Sequence, residues 1–158
     1  MMAKAVPRVY ADTSVFGGVL DKEFKFPSIR FFEMIREGAF RLVVSDIVRR
    51  ELADAPQKVK KLLGEMLPES DIALINEEAL LLRDAYISSG ILSHRWLNDA
   101  LHVAVAVVNE CSMIVSWNFK HIVHYEKIPL YNAVNALHKY GSISIYSPLE
   151  VIGHERPE

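Results

Sequence analysis

The sequence has almost no cysteine and no excess of charge of either sign. One cysteine, Cys111, stands among 158 residues, so a disulfide within the chain is excluded. It lies beside a strongly apolar run, which favours a small buried thiol, and a lone thiol is typical of a reducing cytosol. The 18 basic and 20 acidic residues give a formal net charge of −2. A polyanionic partner would therefore have to bind at a local patch or through a metal ion.

The sequence also lacks any segment typical of a membrane or secreted protein. Residues 1–7 have no apolar signal core. The longest nearly apolar stretch, residues 100–108, is interrupted by His102 and is too short to span a bilayer. Repeats, low-complexity tracts and flexible linkers are absent. We expect one cytoplasmic domain over residues 1–158, with its core at about 8–150, because this length fits a single hydrophobic core.

Short β-rich runs alternate with helical patterns along the chain. Strands are predicted at 8–12, 41–45, 72–75, 112–116 and 142–146, and helices at 27–37, 47–52, 56–68, 77–89, 94–110 and 128–140. This alternation is typical of βα units around a parallel sheet. The sequence therefore predicts a three-layer α/β/α domain with a central, mostly parallel sheet of four or five strands.

Polar residues follow the predicted strands at the edge where parallel sheets bind ligands. The row comprises Asp12 with Ser14, Ser45 with Asp46, and Ser116 with Asn118. Glu51 can lean over the same edge from the next helix, and Asp99 comes from the start of an otherwise apolar helix. Neighbouring carboxylates repel one another unless a cation neutralises them, and such hard oxygen ligands suit Mg²⁺ or Mn²⁺. These ions can activate a water for phosphodiester cleavage.

Each of these residues also has a plain structural interpretation. Asp12 could cap the turn after its strand, Glu51 could be a solvated surface charge, and Asp99 could be a first-turn acid favoured by the helix dipole. His102 is interpreted as a hydrogen-bonded core histidine rather than a ligand. Asn118 is either a turn residue or a ligand of metal or water.

Two further features could contact RNA. Trp117 follows a predicted strand beside the polar row, where it could stack on a base, although core packing is the simpler interpretation. Lys58, Lys60 and Lys61 form a basic run that is interpreted as a solvated helix face.

Five segments of the chain resemble the PIN-domain family, many of whose members are the ribonuclease toxins of type II toxin–antitoxin pairs. They are VYADTSVF from residue 9, VRREL from 48, LNDALHVAVA from 97, IVSWNFKHI from 114 and ISIYSPLEVI from 143. The resemblance implies that Asp12, Glu51 and Asp99 bind metal and that Ser14 assists the first acid. It further implies a Mg²⁺- or Mn²⁺-dependent endoribonuclease that forms a homodimer and is restrained by an antitoxin protein.

The chain departs from the family pattern after the predicted strand 112–116. Asn118 stands where members commonly have a fourth acid, and Lys120 stands where another acid sometimes follows. We therefore expect weaker metal affinity. His121 and His124 could compensate as ligands, or could contact phosphate with Lys120, and Arg95 is a further candidate for steadying a phosphate.

Two alternatives to the nuclease interpretation remain. The uncharged Asn118 supports a PIN-like scaffold that has lost catalysis and serves as a binding module. A haloacid-dehalogenase-like phosphatase would need a second Asp two residues after Asp12, where this chain has Ser14.

Overall fold

A computed structural model of the protein describes residues 5–153. The strands are β1 (Arg8–Ala11), β2 (Arg41–Ser45), β3 (Asp71–Ala73), β4 (Met113–Val115) and β5 (Ser144–Tyr146). The α-helices are α1 (Thr13–Gly18), α2 (Lys25–Arg36), α3 (Asp46–Glu51), α4 (Gln57–Met66), α5 (Glu77–Ser88), α6 (Leu97–Val108), α7 (Lys127–Leu137) and α8 (Pro148–Ile152). Short 3-10 turns at Leu67–Glu69 and His94–Trp96 follow α4 and precede α6.

The five strands form one sheet in the order β3-β2-β1-β4-β5, and every neighbouring pair is parallel. The predicted α/β architecture, with a mostly parallel sheet of four or five strands flanked by helices, is confirmed. Because β1 is central, the residue that follows it lies between the ends of β2 and β4. The order of the strands therefore brings three of the predicted polar positions to the middle of one edge.

Two hydrophobic clusters cover the two faces of the sheet, and the central strand contributes to both. Tyr10 belongs to the cluster built with α5, α6 and α7, whereas Val9 and Ala11 belong to the cluster built with α1, α2 and α4. Alternate side chains of a strand point to opposite faces, and a sheet covered on both faces has strands that are apolar throughout. This explains why the strands read as apolar runs in the sequence.

The sequence pattern does not predict α1, because Gly17 and Gly18 suggest a turn after the strand. The structure instead gives Gly18 a role in packing. A Cβ atom on Gly18 would overlap the Ser28 hydroxyl and lie 2.8 Å from Nε1 of Trp117. Gly18 therefore marks a close packing contact inside a short helix, rather than a chain reversal.

Cys111 is buried, as its apolar neighbours suggested. Within the part of the chain that the structure describes, no helix is long and apolar enough to cross a membrane.

Candidate active site

Asp12 directly follows β1 and is only 4 % exposed. Its Oδ1 accepts a hydrogen bond from the Ser14 hydroxyl at 2.6 Å, and its Oδ2 accepts one from the Ser116 hydroxyl at 2.7 Å. Burial is the largest effect on the pKa of Asp12 and raises it, and the charge of Asp99 also raises it. The charge of His102 and the hydroxyls of Ser14 and Ser116 lower this pKa, but the net result is a raised pKa. The carboxylate is therefore short of positive charge.

Asp99 lies in the first turn of α6, and its side chain is about a quarter exposed at 24 %. Its Oδ2 is 2.7 Å from Nδ1 of His121. Since the charge of Asp99 contributes to the raised pKa of Asp12, the two carboxylates share one electrostatic environment. The structure thus brings the acids of β1 and α6 to the same region.

Glu51, the last residue of α3, leans back towards the same edge of the sheet. Its Oε1 is 2.7 Å from Nε2 of His102 and accepts a hydrogen bond from the Thr13 hydroxyl at 3.0 Å. Burial alone would raise the pKa of Glu51, but the hydrogen bond and charge of His102, with the hydrogen bond of Thr13, lower it overall. Because Thr13 is the neighbour of Asp12, these hydrogen bonds hold the Glu51 side chain beside Asp12 rather than in bulk solvent.

A buried hydrogen-bonded chain lies beneath Glu51. His102 is 2 % exposed, and its Nδ1 is 2.6 Å from the hydroxyl of Tyr10, which is itself 2.8 Å from the hydroxyl of Ser45. Nε2 of His102 faces Glu51 and Nδ1 faces the Tyr10 hydroxyl, so both ring nitrogens have a hydrogen-bond partner. His102 is therefore a hydrogen-bonded core histidine, and it also ties α3 to α6 and β1.

We expect the Tyr10–His102 hydrogen bond to make the two residues energetically coupled. His102→Leu should lower the free energy of unfolding by about 1–3 kcal/mol, because it leaves the buried Tyr10 hydroxyl with one partner fewer. The double variant Tyr10→Phe/His102→Leu should lose less than the sum of the two single variants. Urea unfolding measures all three, and strictly additive losses would contradict the coupling.

Asn118 and His121 lie in the loop after β4, where Asn118 matches the turn-residue interpretation. The Asn118 side-chain oxygen accepts the backbone N–H of His121 at 2.9 Å, and so caps a turn. His121 is only 6 % exposed, and its backbone oxygen accepts the Tyr131 hydroxyl at 2.7 Å. The structure therefore places His121 beneath Asp99 as its hydrogen-bond partner, not at the surface where a phosphate would meet it. Asn118 holds the loop that presents His121.

Two of the other phosphate candidates, Arg95 and Lys120, lie beside the ring of Trp96. The Arg95 guanidinium carbon lies 5.0 Å from the ring centre, and Lys120 Nζ lies 5.3 Å from it. Both side chains are exposed. His124 accepts the backbone N–H of Glu126 at its Nδ1, at 3.2 Å.

The carboxylate oxygens of the three acids are ligands that suit a divalent cation, but their positions in this structure do not form a metal-binding group. Among residues 5–153, no three His, Cys, Asp or Glu side chains lie close enough to hold a metal ion together. The donors are nevertheless hard carboxylate oxygens, and no Lys or Arg in the described part of the chain forms an ion pair with Asp12, Glu51 or Asp99. A divalent cation would supply the positive charge that these carboxylates do not receive from Lys or Arg.

Comparisons with known proteins support the fold. No protein-family model matches the chain, and no curated protein matches its sequence. The chain is similar in fold to a chain in the crystal structure of VapBC2 from Rickettsia felis bound to a DNA fragment from their promoter. The TM-score is 0.56 at 15 % identity, and the match covers 89 % of this chain and 98 % of that chain. At this identity the similarity shows the fold alone, which is consistent with a PIN-like domain.

Proposed function

We propose that the protein is a metal-dependent endoribonuclease in which Asp12, Glu51 and Asp99 hold Mg²⁺ or Mn²⁺. The observation that supports this proposal is the placement of three carboxylates from separate segments along the carboxyl edge of a parallel sheet, each held there by hydrogen bonds. No Lys or Arg in residues 5–153 pairs with them. The fold shared with the VapBC2 structure supports the proposal, and the choice of RNA as substrate follows the sequence resemblance described above.

The chain's own residues have distinct roles in this proposal. A bound metal would activate the attacking water and steady the leaving oxygen. Asp12, fixed by the hydroxyls of Ser14 and Ser116, provides a rigid buried ligand. Asp99, oriented by His121, provides a ligand that is more exposed than Asp12. Arg95, which lies four residues before Asp99, would neutralise phosphate charge during cleavage.

Cleavage of total cellular RNA by the purified full chain tests the proposal directly. We expect fragments with Mg²⁺ or Mn²⁺ and none with EDTA. Folded protein that produces no fragments with any metal would overturn the proposal.

The second candidate function is a PIN-like scaffold without catalysis. Asn118 favours it, because this residue brings no charge and its side-chain oxygen is already used within the loop. Calorimetric titration with Mn²⁺ distinguishes the two functions. A scaffold should give no heat that depends on Asp12 or Asp99, whereas the nuclease should lose its binding heat when either acid is replaced by Asn.

We further propose that an antitoxin protein restrains the enzyme by docking a helix between α2 and α4. A groove of about 280 Å³ lies there. Its apolar lining consists of Val19, Ile29, Phe32 and Leu62. Its charged rim consists of Lys58, Lys61 and an Arg36–Glu65 ion pair at 3.3 Å, so the two lysines leave the rim positive. An apolar floor beneath a positive rim matches an amphipathic helix with acidic flanks.

Ile29→Glu is expected to abolish co-purification with the product of an adjacent small gene, because it places a charge on the groove floor. Leu81→Glu is the matched control, since Leu81 is an exposed apolar residue of α5 on the opposite face of the sheet. If Ile29→Glu still co-purified as the wild type does, the groove would not be the docking site. We retain the homodimer as a proposal, and sedimentation of the purified chain tests it.

A further inference from the structure

Trp96 is an aromatic residue with two cations around it at the rim of the site. It ends the 3-10 turn His94–Trp96, three residues before Asp99, and its ring is partly exposed. Arg95 comes from the same turn and Lys120 from the loop after β4, yet both lie about 5 Å from its ring centre, at 5.0 and 5.3 Å. The ring of His121, the partner of Asp99, lies 4.3 Å away.

The two cations are not neutralised by carboxylates. In the described part of the chain, neither Arg95 nor Lys120 forms an ion pair, although Asp99 lies only one turn from Arg95. Both side chains are exposed and long, so each can leave the ring for an arriving anion. Their positive charge is thus available beside the carboxylates.

The surface next to the ring is concave and carries both polar and apolar side chains. Residues 94–99 line a hollow of about 330 Å³, which is at the lower end of small-ligand sites, roughly 300–1,000 Å³. Its lining combines the polar residues His94, Arg95, Asn98 and Asp99 with the apolar residues Trp96 and Leu97. A ligand with one flat ring and a neighbouring negative charge matches this combination of an aromatic face, two cations and polar groups.

We propose that Trp96, Arg95 and Lys120 form a subsite for one nucleotide of single-stranded RNA, next to the phosphate that is cleaved. The Trp96 ring stacks on the base, and the two cations move to the adjoining phosphates. Stacking on a protein ring requires an unpaired base, which explains a preference for single strands over duplexes. This inference rests on the proposed ribonuclease function and assigns its substrate contact.

Binding of a fluorescein-labelled, unstructured RNA of about twelve nucleotides to the full chain in EDTA tests the subsite without cleavage. Fluorescence anisotropy should show that Trp96→Ala weakens binding by roughly 5- to 150-fold, the range for the loss of one base stack. Trp96→Phe should restore most of the affinity, because it keeps an aromatic face. Arg95→Ala and Lys120→Ala should each reduce the slope of log affinity against log salt by about 0.7.

Two matched controls lie on helices of the opposite face of the sheet. Phe26 is an exposed aromatic residue of α2, and Lys60 is an exposed lysine of α4. Phe26→Ala and Lys60→Ala should bind the RNA as the wild type does. Intrinsic fluorescence adds a direct readout, since Trp96 is partly exposed whereas Trp117 is buried, so RNA should quench Trp96.

The outcomes separate this subsite from the nuclease itself. If Trp96→Ala binds and cleaves RNA as the wild type does, the subsite is overturned and the nuclease stands. RNA binding that depends on Trp96, in a chain that cleaves nothing, would support the subsite and overturn the nuclease. A chain that neither binds nor cleaves RNA overturns both proposals.

Discussion

Replacing Asp99 with Asn is expected to reduce metal-dependent RNA cleavage by roughly 10²–10³-fold, the usual loss when one preorganised electrostatic contact is removed. Asn preserves the size of the side chain and keeps an oxygen that can accept a hydrogen bond from His121. The fold should therefore survive, while the charge that holds the metal is lost. Cleavage assays of the wild type and the variant, under identical Mg²⁺ or Mn²⁺ concentrations, measure the effect.

Asp84→Asn is the matched control for this variant. Asp84 lies on α5, its side chain is 56 % exposed, and it pairs with the neighbouring Arg83 at the surface. A surface pair of this kind contributes little to stability, so the control should cleave RNA at the wild-type rate. Full activity of Asp99→Asn, with an unchanged urea unfolding curve, would count heavily against the proposed metal site.

The parts of the site that depend on strand order follow directly from the sequence. Asp12 and Ser116 each follow an apolar strand, and parallel strands that are neighbours end at the same edge. The 2.7 Å hydrogen bond between the two side chains is the consequence. The predicted strand 41–45 coincides with β2, since a strand covered on both faces is apolar from end to end.

The partners of the acids do not follow from the sequence. Glu51 and His102 are 51 residues apart in the sequence. Their contact depends on the length of α3, which sets the direction in which the Glu51 side chain points at its last residue. The bond between Asp99 and His121 depends on the turn that Asn118 caps. Residue type and spacing identify these side chains as candidates, but the pairing is set by the rotation of two helices and the path of one loop.

The two tryptophans show the same limit. Trp117 is the second residue after β4, which suggests a place beside the site, yet its ring is buried and stacks on Phe24 with ring centres 4.0 Å apart. Trp96 gives no comparable signal in the sequence, and only the structure shows two cations around its ring. Position along a strand fixes the edge at which a residue lies, but it does not fix the direction of a side chain in the loop that follows.

Replacing Asp12 with Asn is expected to raise the free energy of unfolding at neutral pH, in the absence of metal, although it should abolish activity. Burial raises the pKa of Asp12 above its ordinary value of 3.8, and the charge of His102 with the hydroxyls of Ser14 and Ser116 offsets this only in part. The folded state therefore binds a proton more tightly than the unfolded state. Stability attributable to this group falls as pH rises from the unfolded pKa to the folded pKa, and stays low above both.

Thermal unfolding of the wild type and Asp12→Asn in EDTA, from about pH 3 to about pH 8, measures this difference. Asn carries no charge, so the variant should avoid the loss of stability that comes from burying a carboxylate. The serine hydroxyls can rotate to accept hydrogen bonds from the Asn amide as well as to donate to its oxygen. Its melting temperature should be higher at neutral pH, by roughly 2–4 °C for each kcal/mol regained, and the gap should close as the pH falls below the ordinary Asp value. Added Mn²⁺ should stabilise the wild type and not the variant, because only the folded wild type binds the ion. Asp84→Asn should show neither effect. If Asp12→Asn were less stable than the wild type at neutral pH, the argument that the buried Asp12 carboxylate lowers the free energy of unfolding would be contradicted.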